Sequence, residues 1–502
     1  MLPRIEMLFP GRNLFSCLPV ILVAMVGPAA AQHRAIFVDA AKVTGNIRSF
    51  QQVNLGPGHT RPGVVDITKQ YQDLRINSVR THDFYGPTDL DAYRPNEPWD
   101  KIIFPKWDAD PEKEESYNFG PSDRLIKAIV DSGAEVYFRI GRSWNAVATP
   151  PPDNDKFASI SKHVVMHYNA GWANGHRWNI RHWEVWNEPD GRFWTGTPEQ
   201  FYALYDRVAR TLKAYDPKLQ VGTCGVAGGA SESPYREGLI RYCAERKVPL
   251  DFYSWHRYHV GSYDPYDIPR IARTVRELLD SSGFRKAESH VTEWNLDAGV
   301  NMTPEWRKIY ESGLNGGFVA AALIYLQDAP VELAHFYRGD AGHPLGLFRP
   351  DGSYKKTAYA YKASGMMLAT PRRLAATGGD DIGFAVLAGK SADKKSVQVF
   401  ITNYEIGPPA AGPAPRPPRP PRPGYINRLE PRTGVAYKDN RGYALEIRNL
   451  PWGKAGFTVK RYRVSDKDDF TLTEEAAVQG GVFKLTSELS PPAFELIVLR
   501  RK

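Results

Sequence analysis

The sequence predicts an α/β fold, a (β/α)8 TIM barrel with an accessory C-terminal β-sandwich domain. Three observations lead there. From about residue 46 a short apolar strand, a polar or Gly/Pro-rich loop and a helical pattern recur in turn, which is the signature of βα units around a parallel sheet. Eight such strands over roughly 280 residues match the size of a closed barrel, and no glycine fingerprint of the doubly wound open sheet is present. Beyond about residue 378 helical periodicity gives way to short alternating strands between turn signals.

The chain of 502 residues opens on Arg4 and Arg12, the apolar run "LFSCLPVILVAMVG" and the small-residue stretch "PAAAQ". Those are the three parts of a secretory signal, so residues 1–31 are expected to be a leader cleaved after Ala31, and the protein is expected to be secreted or periplasmic. The apolar run is short for a bilayer, so no membrane span is expected in the mature chain. Residues 32–45, with "RAIFVDAAKV", are expected to add a strand to the C-terminal sandwich.

The barrel is expected over 46–375. Its strands are "FQQVNL" ending near Asn54, "INSVRTH" at His82, "AEVYFRIG" at Arg139, "IRHWEVWN" at Asn187, "LQVGT" at Thr223, "LDFYSWH" at His256, "SHVTEWN" at Glu293 and "AALIYLQD" at Asp328. The helix after the fourth strand is marked at both ends. Thr197 caps it, Pro198 suits its first position, Gln200 completes a capping box, and Asp216-Pro217 stops it.

The sandwich is expected over 376–502, from "GFAVLAGK", "SVQVFITNY", "YALEIRNL", "FTVKRYRVS", "GVFKLTSEL" and "FELIVLRR". Between two of these strands, residues 408–423 of "GPPAAGPAPRPPRPPRPGY" are too proline-rich to pack a core and are expected to project as a solvated polyproline-like loop.

In a (β/α)8 barrel, catalytic groups stand at the C-terminal ends of strands. Two tips end in glutamate. Glu188 follows the fourth strand in "WNEPDGRFW", and Glu293 closes the seventh in "VTEWN". Closure of the barrel brings both to one mouth, and two carboxyls flanking an aromatic-walled cleft are the minimum apparatus for glycosidic bond cleavage. Indole walls raise the pKa of Glu188, as an acid requires, while Arg80, Arg139 or His256 are expected to hold Glu293 ionised as a nucleophile requires. Tryptophan also suits sugar, whose C–H faces stack on indole.

These motifs resemble glycoside hydrolase family 39, within the clan of (β/α)8 retaining glycosidases, over most of the mature chain. The resemblance implies that Glu188 is the acid/base, Glu293 the nucleophile, and Asn187 the asparagine that binds the sugar 2-hydroxyl. His82 in "RTHDFYG" and His256 in "SWHRYH" fall where such enzymes keep subsite histidines. Arg80, Trp144 and Asn145 in "GRSWN", and Tyr258 are further candidates for substrate binding or for packing the rim.

The resemblance implies a retaining enzyme for xylosyl or arabinosyl oligosaccharides; an endo-acting exopolysaccharide hydrolase, a uronic-acid glycosidase and a non-catalytic carbohydrate-binding protein are the alternatives. The insertion "AYRPNEPWDKIIFPKWDADPEKEESYNFG" is long enough to wall off a pocket, which favours exo cleavage. No cofactor or metal is implied, and the expected partner is an oligosaccharide or polysaccharide. The net charge of +9 includes the leader and the arginines of the proline-rich stretch, and with no basic helix or phosphate loop it does not point to nucleic acid. Cys224 and Cys243 admit either one bridge or two free thiols.

Overall fold

The computed structural model of the chain describes residues 33–502 apart from 59–62, 92–100, 145, 260–261, 300–301, 405, 407–423, 428, 430–431 and 433–441. The expected leader and the proline-rich loop 408–423 lie outside the described residues. Strand β1 (Arg34–Asn46) precedes the barrel. The barrel strands are β2 (Gln52–Asn54), β3 (Ser78–Arg80), β4 (Glu135–Ile140), β5 (His182–Val185), β6 (Gln220–Val226), β8 (Phe252–Tyr258), β9 (Glu288–Asn295) and β10 (Leu333–Phe336); β7 (Ser231–Glu232) lies outside the ring. They close in that order, β10 pairing with β2 in parallel.

The helices are α1 (Thr68–Asp73), α2 (Gly120–Asp131), α3 (Asn154–Asn169), α4 (Pro198–Tyr215), α5 (Leu239–Arg246), α6 (Asp267–Ser281), α7 (Pro304–Glu311), α8 (Gly313–Tyr325) and α9 (Lys356–Met367). Helix α4 forms as its sequence signals require. The Thr197 side chain accepts from the backbone of Gln200, whose own side chain accepts from the Thr197 backbone N–H at 2.8 Å. Phe201, Leu204, Tyr205, Val208 and Leu212 are its buried stripe. Among the described residues no helix is long and apolar enough to cross a membrane.

One expected strand is a helix. "AALIYLQD" belongs to α8 and the turn that follows it, and the eighth barrel strand is the four-residue "LAHF" of β10. The cause is burial on every side. Helix α8 packs against the barrel and against three strands of the second sheet, so its sequence shows no polar face, and an all-apolar run reads equally as a buried strand.

Strands β11 (Arg372–Thr377), β12 (Phe384–Lys390), β13 (Ser396–Asn403), β15 (Gly442–Arg448), β16 (Gly456–Val464), β17 (Asp469–Gln479), β18 (Phe483–Glu488) and β19 (Ala493–Arg501) join β1 in one nine-stranded sheet. Strand β1 sits between β11 and β15 in this sheet. The sheet curls over its own core, so that the Tyr443 hydroxyl of β15 reaches Glu495 of β19. Strand β11 straddles residue 375 and is hydrogen-bonded into this sheet.

The two parts share a packed boundary. Phe400, Tyr404, Phe494 and Leu496 bury themselves with the barrel's core residues, and the Tyr404 hydroxyl donates to the Tyr263 carbonyl at 2.9 Å. The insertion between β13 and β15 returns to the barrel: β14 (Ile426–Asn427) pairs with β7, and the Arg432 guanidinium clasps Asp264 at 2.7 and 3.1 Å. Cys224 and Cys243 are both buried and unbridged.

Candidate active site

The site is assembled on a single guanidinium. Arg80, at the end of β3 and fully buried, donates from Nε to Glu184 at 2.6 Å, from Nη1 to Asn54 at 3.1 Å and Glu293 at 2.8 Å, and from Nη2 to Asn187 at 2.7 Å. A planar fork of fixed N–H directions suits such simultaneous contacts with three strands, β2, β5 and β9, and the turn after β5. Two carboxylates against one cation stabilise its charge in a dry setting.

Glu188 stands just past β5, where the backbone turns through left-handed conformations at Trp186 (φ 72°) and Glu188 itself (φ 45°). Such strain at non-glycine residues persists only where neighbours impose it. Here the Glu188 N–H is tied to the Cys224 and Gly225 carbonyls at 3.0 and 3.1 Å, and the Trp186 indole donates to the Phe193 carbonyl at 3.0 Å. Gly225, at φ 54°, is required for close approach, because a Cβ there would meet His256 Nε2 at 2.6 Å.

His256 bridges the carboxyls. Its Nδ1 lies 2.8 Å from Glu188 Oε1 and 3.5 Å from Glu293 Oε2. One oxygen of each glutamate and a ring nitrogen of His256 all fall within 4.8 Å of one another. Burial pushes His256 below its ordinary pKa. The Tyr258 hydroxyl donates to Glu293 Oε2, and His82 Nε2 stands 3.6 Å from Glu293 Oε1. Burial, then the charge of Arg80, holds His82 well below its ordinary range.

The two carboxyls occupy different electrostatic settings. Burial pushes Glu188 up to about 8, and the next largest effect, the negative charge of Asp190, pushes the same way. Burial also raises Glu293, but the next largest effects, from His256 and Arg80, oppose it. Glu188 therefore holds a proton at neutral pH, and the charged form of Glu293 has dedicated hydrogen-bond donors.

Seven of the expected residues thus form one contiguous cluster: Arg80, His82, Asn187, Glu188, His256, Tyr258 and Glu293. Trp144 stands apart at the rim, half-buried, with the Arg192 guanidinium 4.9 Å from its ring centre. Its backbone N–H donates to Asp83 Oδ1 at 2.7 Å. Asn145 lies outside the described residues. Arg139 does not join the cluster as expected, because its Nη2 is committed to Asp89 at 2.7 Å, a buried partner that neutralises it.

Other residues at the site escaped sequence reading. Glu184 faces into the barrel two residues before the end of the β5 apolar run, within the strand and away from the turn chemistry that marks Glu188. Asp83 accepts from the Tyr337 hydroxyl at 2.7 Å, and Asp83, Tyr85, Arg338 and Asp340 line a recess beside the cluster. Arg338 is neutralised there by a bidentate pair with Asp340 at 2.8 and 2.7 Å. Asp190 secures the loop after β6, accepting from Ala227 and Gly228 at 2.9 and 2.8 Å. The signal for Asp190 was its place in the same Asn-Glu-Pro-Asp turn.

The chain is similar to known proteins. The sequence pattern of Glycosyl hydrolases family 39 matches residues 35–330. A beta-xylosidase of Geobacillus stearothermophilus is 28% identical over 253 residues, 44% of this chain and 48% of that protein, so the match spans about half of that curated relative. The crystal structure of a glucosidase from Croceicoccus marinus superposes with a TM-score of 0.79 at 31% identity, over 94% of this chain and all (100%) of the other. A monomeric beta-xylosidase from Caulobacter crescentus shares the fold, with a TM-score of 0.64 at 20% identity over 93% of this chain and 99% of that one. By its sequence pattern and its likeness along nearly its whole length, this chain belongs to glycosyl hydrolases family 39.

Proposed function

We propose that the protein is a secreted, retaining, exo-acting glycosidase in which Glu188 is the acid/base and Glu293 the nucleophile. The observation that carries this reading is that one oxygen of Glu188 and one of Glu293 lie within 4.8 Å of each other, with His256 Nδ1 between them at 2.8 and 3.5 Å. Retaining enzymes hold their pair about 5 to 5.5 Å apart, whereas inverting enzymes need roughly 6.5 to 9.5 Å to admit a water. In the first step Glu293 attacks the anomeric carbon as the proton of Glu188 passes to the departing oxygen. In the second, Glu188 takes a proton from water, which attacks the glycosyl ester and releases Glu293 as carboxylate. Asn187, oriented by Arg80, is in place to bind the 2-hydroxyl.

Pentosides, xylosides or arabinosides, are the proposed substrates, supported by the beta-xylosidases among the relatives. A second reading, a glucoside, is favoured by the 31% identity to the Croceicoccus marinus glucosidase. Exo action rests on a pocket. Residues 92–100 of the insertion expected to wall it lie outside the described residues; residues 102–104 of it are buried, and Glu112 reaches the Ser159 hydroxyl of α3 at 2.8 Å.

A panel of aryl xylosides, arabinosides, glucosides and uronides, with the first product read by NMR, tests the whole reading. Turnover of a pentoside with retained configuration is expected. A preferred glucoside would move the assignment to the second reading, and an inverted product or no turnover of any glycoside would overturn the mechanism.

A further inference from the structure

A second constellation lies among the outer helices. Asp123 in the first turn of α2, His167 in the last turn of α3 and His176 in the loop that feeds β5 each offer a ligand atom, all within 4.8 Å of one another. His167 is buried, whereas Asp123 and His176 retain 26% and 30% side-chain exposure, so the group is open to solvent on one side.

The hydrogen bonding of His167 identifies what the group is built for. Its Nδ1 is 2.9 Å from the Trp172 carbonyl, an acceptor, so that nitrogen carries the hydrogen. With that hydrogen on Nδ1, Nε2 is the nitrogen that faces Asp123 Oδ1, 3.0 Å away, and His176 Nε2 stands 3.7 Å from Oδ2. One ligand atom of each residue lies within 4.8 Å of the other two. A backbone carbonyl on the far nitrogen is the usual support for a metal-ligating histidine, because it fixes the tautomer and the ring direction.

Both rings are also held in place. His167 stacks on Phe119 at 3.5 Å between centres and 4°, and His176 on Trp178 at 3.7 Å and 7°. The backbone presents His176 through bonds from its N–H to the His167 carbonyl at 2.6 Å and from the Trp178 N–H to the Tyr168 carbonyl at 2.9 Å. Gly175 lets that segment pass, since a Cβ there would meet the His167 carbonyl at 2.2 Å.

The third grouping of this type, His182, Glu288 and His290, differs in one respect. There the Tyr137 hydroxyl satisfies His290 Nδ1 at 3.1 Å while Nε2 donates to Glu288 at 2.9 Å, which completes a network with no cation.

We propose that Asp123, His167 and His176 bind a divalent transition-metal ion, zinc by ligand type, with water as the fourth ligand and with a structural role. A tetrahedral site with bonds of about 2.0 to 2.1 Å has ligand-to-ligand edges of about 3.4 Å. His167 Nε2 and His176 Nε2 stand 3.0 and 3.7 Å from Oδ1 and Oδ2 of Asp123 respectively, so the carboxylate is within ligand-edge reach of both rings. The ion ties α2 and α3 to a loop that enters β5 at His182, the strand leading to Glu188.

Metal analysis of the full-length protein tests this, after growth with Zn²⁺ and dialysis against metal-free buffer. About one zinc per chain is expected in the wild type, with binding weakened at least about 10- to 100-fold in His176→Ala and in Asp123→Asn. Chelation should lower the melting temperature of the wild type and leave that of folded His176→Ala unchanged, with kcat unaltered in that variant. Cobalt substituted for zinc should give the visible absorption of a tetrahedral site. No zinc in the wild type, or full stoichiometry in both variants, overturns the proposal; the latter result with loss of zinc in Glu188→Gln would place the ion on the carboxyl pair instead.

Discussion

Arg80 and Glu293 are joined by a 2.8 Å bond from Nη1 to Oε1, and the same guanidinium is held from behind by Glu184 at 2.6 Å. A cation so placed cannot turn toward substrate or solvent. It fixes one oxygen of Glu293 and leaves the other, Oε2, to Tyr258 and His256. The orientation of the carboxylate is therefore set before substrate arrives, which is where a positioned nucleophile gains most of its advantage.

Tyr258→Phe removes one donor to charged Glu293. A hydrogen bond to an ionised group is worth about 1.5 to 3 kcal/mol, so kcat/KM should fall by roughly 10- to 100-fold. The donor favours the carboxylate, so its loss raises the Glu293 pKa and moves the acid limb of the pH profile upward. An unchanged acid limb with an unchanged rate would show that the hydroxyl does not act on Glu293.

The basic limb belongs to Glu188. Its proton, held up to about pH 8, is needed for leaving-group protonation, so kcat/KM should decline as pH rises through about 8. Asp190→Asn removes the charge that adds to the burial effect, and the limb should move to lower pH. Substrates with activated phenol leaving groups should lose this limb on the first step. A limb in the same place in the Asp190 variant would dissociate it from Glu188.

Most of the barrel was legible because seven of its strands carry bulky residues that end at turn chemistry, as Trp186-Asn187-Glu188-Pro189 does. The elements missed, in the barrel and in the second sheet, have two causes. Helix α8 and strand β10 take their character from tertiary burial, and β17, with Leu472, Ala477 and Gln479 exposed along its length, carries little apolar signal of its own. At the site, tip residues such as Glu188, Glu293 and His256 could be found by counting strands. Arg139 stands at a tip too, yet its partner Asp89 lies in a loop fifty residues earlier, and no local pattern announces that pairing.

Glu293→Ala should lower kcat by more than about 10³-fold on any glycoside while leaving the fold intact. External azide should restore turnover, attacking the anomeric carbon from the vacated face to give a glycosyl azide of inverted configuration. The substrate's own melting-temperature shift would show that binding survives. Loss of turnover with retained binding and no azide product would leave the nucleophile elsewhere.

Glu188→Gln should separate stability from activity. A carboxyl whose folded pKa stands near 8, against about 4.5 unfolded, keeps its proton in the native state across a range where the unfolded chain has released it. The native state then binds more protons than the unfolded state between those values, so this group lowers stability progressively as pH rises from about 4.5 to about 8. Glutamine has the same shape and no charge to desolvate. The variant should match the wild type near pH 4 and become increasingly more stable up to about pH 8, with the difference level above that. Melting curves of both proteins from pH 4 to pH 9 measure it. A melting-temperature difference that stays constant across this range would falsify the assignment of a raised pKa to Glu188, since only a group titrating differently in the two states can make stability depend on pH.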